Sequence, residues 1–123
     1  MAIKFFISRG TDTIVEVVQG DDKNFSEESM AEIVPNTSEG AGEKHLPVIT
    51  VSGDMVTVEV GSVEHPMTEE HYIQWIYLET KCGGQIKYLK PDDDPRAEFT
   101  LIDDEVISAY EYCNIHGLWQ SVL

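Results

Sequence analysis

The chain has 123 residues, 41% of them apolar, and carries 23 Asp and Glu against eight Lys and Arg, for a formal net charge of −15. That length suits one domain plus a small appendage, with enough apolar side chains to bury a core without disulfide staples. So few cations argue against nucleic acid and anionic membranes as partners, because phosphates must be neutralised by Lys and Arg. The two cysteines, Cys82 and Cys113, are too few for a disulfide scaffold. The opening apolar run is too short for a signal segment, and no stretch approaches the ~18 apolar residues of a membrane span. The expectation is a soluble cytoplasmic protein.

In chain order, two strand-like runs come first, Ile3–Ser8 and Thr13–Gln19. Arg9-Gly10-Thr11-Asp12 between them has turn composition, so the pair predicts a hairpin. Gly20-Asp21-Asp22-Lys23-Asn24 is a further turn cluster, and Pro35 to Gly42, rich in Ser, Gly, Asn and Glu, reads as a linker. From Leu46 onward the pattern is β. Val48–Ser52 and Met55–Val60 flank Gly53-Asp54, a hairpin signal, and Val56, Val58 and Val60 alternate with Met55, Thr57 and Glu59 as one buried face. Gly61–Glu70 reads as a polar loop, Tyr72–Thr80 as a strand, Cys82-Gly83-Gly84 as a turn and Gln85–Leu89 as a strand. Pro91 to Pro95 cannot hold a ladder. Ala97–Ile102 and Val106–Tyr112 close the series, which predicts an all-β sandwich or barrel with no long helix.

The four histidines are the strongest signal. His45 follows the linker, His65 and His71 bracket the polar loop, and His116 lies three residues after Cys113. Each falls at a strand edge or in a loop, and none falls mid-strand, where a core histidine would sit. Cys-x-x-His can present both side chains to one ion from a tight turn. Thiolate and imidazole together suit zinc, copper or iron, not magnesium or calcium. Structural zinc usually closes with four ligands. Four imidazoles and one thiolate make five, which leaves one open position and favours iron. A closed zinc module, a pure electron carrier and a dismutase remain the rival readings of these residues.

At these residues the sequence resembles the superoxide reductase family, which includes desulfoferrodoxin and neelaredoxin. The matching segments are Glu43-Lys44-His45-Leu46-Pro47-Val48-Ile49, Gly61-Ser62-Val63-Glu64-His65-Pro66-Met67, Glu70-His71-Tyr72-Ile73-Gln74-Trp75 and Glu111-Tyr112-Cys113-Asn114-Ile115-His116-Gly117-Leu118-Trp119. They come in the family's order. The resemblance implies a seven-stranded immunoglobulin-like β-sandwich over 37–123. It implies one mononuclear iron with His45, His65, His71 and His116 as equatorial ligands and Cys113 as the axial thiolate. Glu43 would be a sixth ligand in the ferric state, and Lys44 would guide superoxide and aid proton delivery. The implied activity is one-electron reduction of superoxide to hydrogen peroxide, an oxidative-stress defence in an anaerobe or microaerophile. The implied donor is rubredoxin or a similar small redox protein, and the implied assembly is a homodimer. Residues 1–36 resemble the desulforedoxin-like domain of two-domain members. There Ser8, Thr11, Phe25 and Ser26 stand where that domain's four thiols would be, so no second iron is expected. Cys82 is read as a free thiol without a role, and Trp75 and Trp119 as core packing.

Overall fold

A computed structural model describes residues 3–20, 25 and 29–123. The chain divides into two compact units, Met1–Val34 and Pro35–Leu123. The first holds a three-stranded antiparallel sheet, with β1 (Phe5–Ser8) between β2 (Ile14–Glu16) and β3 (Met30–Ile33). The expected hairpin forms with shorter strands, in the register Phe6↔Val15 and Ile7↔Ile14. The turn is closed by the Ser8 N–H donating to the Thr13 carbonyl (2.8 Å). β3 was not anticipated, because Met-Ala-Glu-Ile is short and lacks β-branched or aromatic density until its last residue. Phe6 is 1% exposed and meets the Phe25 ring edge-on, centroids 4.9 Å apart. Thr11 shares a hydroxyl–hydroxyl bond with Thr13 (2.8 Å). Ser26 and residues 21–24 of the expected turn cluster lie outside the described residues.

The second unit is a seven-stranded sandwich, and the all-β reading is borne out. One sheet has the order β4 (Pro47–Ser52), β5 (Met55–Val60), β8 (Arg96–Thr100). The other has the order β10 (Gly117–Val122), β9 (Val106–Cys113), β6 (Ile73–Thr80), β7 (Gly84–Tyr88). The β4–β5 hairpin turns at Gly53-Asp54, pairing Ser52 with Met55. The alternation along β5 is realised: Val56, Val58 and Val60 are at most 1% exposed, while Met55 and Glu59 face solvent. They pack with Ile73, Ile76, Leu78, Phe99 and Ala109 between the sheets. Each such burial stabilises by roughly 1.5–3 kcal/mol relative to exposure.

Three features depart from the sequence reading. β10 forms where no strand was expected, because no two-residue hairpin signal precedes it and Leu118-Trp119 breaks the alternation. A single helical turn, α1 (Gly42–His45), precedes β4, and four residues carry no period to read. The supposed linker is pinned at its start. Asn36 donates from its backbone N–H to the Leu118 carbonyl (3.0 Å), and its side chain exchanges two bonds with the Gln120 backbone. That segment covers the outer edge of β10, which would otherwise present unpaired backbone groups. Among the described residues no helix is long and apolar enough to cross a membrane.

Candidate metal centre

One pole of the sandwich collects the end of α1, the β5–β6 loop and the β9–β10 turn, and each delivers imidazoles or the thiolate. α1 is closed by Leu46 N–H to the Gly42 carbonyl (2.8 Å), which swings His45 inward to 2% exposure. Its Nδ1 lies 2.8 Å from the Ala41 carbonyl. His65 is also 2% exposed, with Nδ1 2.6 Å from the Pro66 carbonyl. His71 is half-buried just before β6. Cys113 ends β9 fully buried, and Gly117 (φ +77°) turns the chain so that His116 returns over it. The Cys113 Sγ lies 3.9 Å from His116 Nδ1 and accepts from the His116 backbone N–H at 3.4 Å.

One ligand atom from each of His45, His65, His71, Cys113 and His116 falls within 4.8 Å of all the others. The five residues picked from the sequence are thus brought to one point. A carbonyl only accepts, so His45 and His65 carry their protons on Nδ1. Their Nε2 atoms, 3.2 Å apart, then face each other as two lone pairs. Burial drives His65 down to about 4, only partly offset by the Pro66 carbonyl, so the ring stays neutral at pH 7. Burial lowers His45 and His71 too, and the Lys44 charge adds to both. Two facing lone pairs repel unless a cation sits between them. Adjacent nitrogens at right angles around an ion ~2.1 Å away would be ~3 Å apart. His71 Nε2 is buried with no partner among the described residues, a further donor left unsatisfied. Burial raises the Cys113 thiol, while the His116 and Ile115 backbone N–H groups pull it down. An ion would displace that proton. The residues therefore fit a single metal, and the soft thiolate with four imidazoles suits iron.

Glu43 and Lys44 are both exposed on α1, and the Glu43 carboxylate is outside the five-donor group. Their backbone is held from the β5–β6 loop: the Glu43 carbonyl accepts from Val63 N–H (2.8 Å) and the Ser62 hydroxyl (3.2 Å). At Gly61 a Cβ would stand 2.7 Å from the Glu43 oxygen and 2.9 Å from the Lys44 carbonyl carbon. At Gly40 (φ +153°) it would meet the His45 and His116 rings at 3.1 and 3.3 Å. Neither glycine was picked out from the sequence, because a close approach leaves no compositional mark.

Two more neighbours escaped the sequence reading. Trp119, expected as core packing, is buried but also stacks on His45. Glu111 is fully buried on β9, with no partner for either oxygen among the described residues. Desolvation pushes it up to about 9, so it is the neutral acid at pH 7. Cys82 is exposed, at the opposite end of β6 from His71.

The profile of the desulfoferrodoxin family matches residues 37–122, the span that holds all five donors. The chain belongs to the desulfoferrodoxin family. A desulfoferrodoxin of Clostridium acetobutylicum is 42% identical over 121 residues, covering 97% of this chain and 95% of that protein. A desulfoferrodoxin homologue of Archaeoglobus fulgidus is 57% identical over 88 residues, covering 72% and 69%. Among solved structures, the superoxide reductase of Treponema pallidum superposes with a TM-score of 0.85 at 38% identity, covering 98% of this chain and 99% of that one. The desulfoferrodoxin-family assignment accords with the four-imidazole, one-thiolate set, and the cofactor is iron.

Proposed function

We infer that this chain is a superoxide reductase. The observation that carries the reading is the convergence of four imidazoles and a buried thiol within 4.8 Å, one donor more than a closed tetrahedral site takes. When bound, ferrous iron supplies the one electron that, with two protons, turns superoxide into hydrogen peroxide, and a donor then restores it. The His45 and His65 carbonyl bonds fix both tautomers and ring planes, which keeps Nε2 aimed inward throughout the cycle. The Cys113 thiolate, steadied by the His116 N–H, pushes electron density toward the site.

Lys44 is read as the guide for the anion. Lys44 is exposed on the turn that ends in His45, and its charge adds to the lowering of His45 and His71, which supports a position near the cluster. The chain's net charge of −15 repels superoxide, but at physiological salt fields decay over about 8 Å. A lysine at the rim then governs the last approach. Glu43 is read as the sixth ligand of the oxidised site, since its turn adjoins His45. Ser8, Thr11, Phe25 and Ser26 supply no thiol, which supports a single iron per chain.

We further propose rubredoxin or a similar small redox protein as donor, a cytoplasmic location and a homodimer. Rapid reduction of the oxidised protein by reduced rubredoxin, and a sedimentation mass of two chains, would bear this out. Failure of either would remove that part alone. The activity itself is tested by stoichiometry in the presence of a reductant. A reductase forms one peroxide and uses one reducing equivalent per superoxide consumed. Half a peroxide with no reductant used would instead mark a dismutase.

A further inference from the structure

His71 lacks the ring anchor that His45 and His65 have. His45 and His65 are each anchored through Nδ1 to a backbone carbonyl. His116 follows the Cys113 turn, with its own N–H on the sulfur and its carbonyl held by the Trp119 indole N–H (3.1 Å). Among the described residues the buried Nε2 of His71 has no hydrogen-bond partner, and no backbone carbonyl anchors the ring as Ala41 and Pro66 anchor His45 and His65. A metal-bound histidine is normally oriented by a bond to its second nitrogen. For His71 the orienting bonds that the structure shows are those of its backbone.

Thr68 holds the His71 peptide inside its own loop, accepting from the His71 N–H at Oγ1 (3.1 Å) and donating its N–H to the His71 carbonyl (2.9 Å). What ties that loop to the rest of the site is Asn114. Its Oδ1 accepts from the Tyr72 N–H (2.9 Å), and its Nδ2 donates to the Glu70 carbonyl (3.0 Å). Its backbone N–H donates to the Tyr72 carbonyl (3.2 Å), one step beyond the last β6–β9 pair, Ile73↔Cys113. The two residues flanking His71 are thus held by the residue that follows Cys113. We propose that Asn114 is the positioning residue for His71, setting its distance from the Cys113 sulfur in place of the missing ring hydrogen bond. This rests on the reading of His71 as a ligand.

The test is a double-mutant cycle of iron(II) affinity, measured without oxygen by competition with a chromophoric chelator. Iron(II) accommodates all five donors, where zinc usually closes with four, so loss of any one donor is read in the affinity. Asn114→Ala should weaken binding about 10–100-fold, the usual effect of losing an orienting partner. Asn114→Asp keeps the acceptor for Tyr72 but loses the donor to Glu70, so it should fall between. It also serves if the alanine variant does not fold. In the His71→Ala background either change should shift affinity by less than about twofold, because the residue it acts through is gone. Losses that simply add in the double variant would overturn the proposal while leaving His71 a ligand. An unchanged affinity in His71→Ala alone would remove His71 from the ligand set, and the proposal with it.

Discussion

The Trp119 indole lies over the His45 imidazole, ring centroids 4.9 Å apart and planes 22° from parallel. The same indole donates its Nε1–H to the His116 carbonyl at 3.1 Å. One β10 side chain therefore braces two ligands that come from opposite ends of the second unit's sequence. Trp119→Phe keeps a ring against His45 and loses the hydrogen bond, a cost of about 0.5–1.5 kcal/mol. Trp119→Ala opens a cavity and should cost about 3–5 kcal/mol, with faster iron release. Urea unfolding and iron transfer to a chelator read both. A Trp119→Ala protein that unfolds and releases iron like wild type would show the stack to be incidental.

Gly61 tests the packing behind the Glu43–Lys44 turn. The atoms a Cβ would strike are backbone, so they cannot step aside as a flexible side chain would. Gly61→Ala should destabilise by about 1–3 kcal/mol. It should also slow superoxide capture at full iron content, because Lys44 shifts with its backbone. Pulse radiolysis with iron analysis checks this. A normal capture rate would mean the turn tolerates the shift.

Lys44→Ala should lower the second-order rate about tenfold and reverse its salt dependence. With Lys44 present, salt screens an attraction and slows capture. Without it the anion meets a chain of charge −16 (−15 less one Lys), and salt then screens repulsion and speeds capture. The slope of rate against ionic strength is the readout, and an unchanged sign would remove the guiding role.

Cys82 supplies a prediction away from the metal. Its thiol is raised chiefly by hydrogen bonding to the Asp104 carboxylate, which also accepts the Cys82 backbone N–H at 3.0 Å. A raised thiol pKa means less thiolate, so alkylation at pH 8 should be slower than for a free cysteine. Asp104→Asn should speed it. Equal rates would indicate that the carboxylate does not hold the thiol.

Much of this molecule can be read before it is seen. The Val56, Val58, Val60 alternation announces a strand with one buried face, and the structure buries that face. The five donors were legible because Cys-x-x-His and the histidines flanking a loop are chemistry-bearing residues outside any apolar stripe. What stayed hidden depends on three-dimensional approach. Gly40 and Gly61 matter for the side chains they do not have, against partners distant in sequence. Trp119 looks like any core aromatic until its neighbour proves to be His45. Asn114 was in view between Cys113 and His116, yet its partners Glu70 and Tyr72 lie more than forty residues away. β10 and α1 were missed for a different reason, being held by pairing and by the site and not by local propensity.

The most direct test of the centre is metal analysis with the visible spectrum of the oxidised protein, in wild type and in Cys113→Ser. The account predicts one iron per chain and a thiolate-to-iron absorption that bleaches on reduction, returns on adding superoxide, and is absent from Cys113→Ser. Zinc in place of iron, or a band that survives the loss of the Cys113 sulfur, would contradict it.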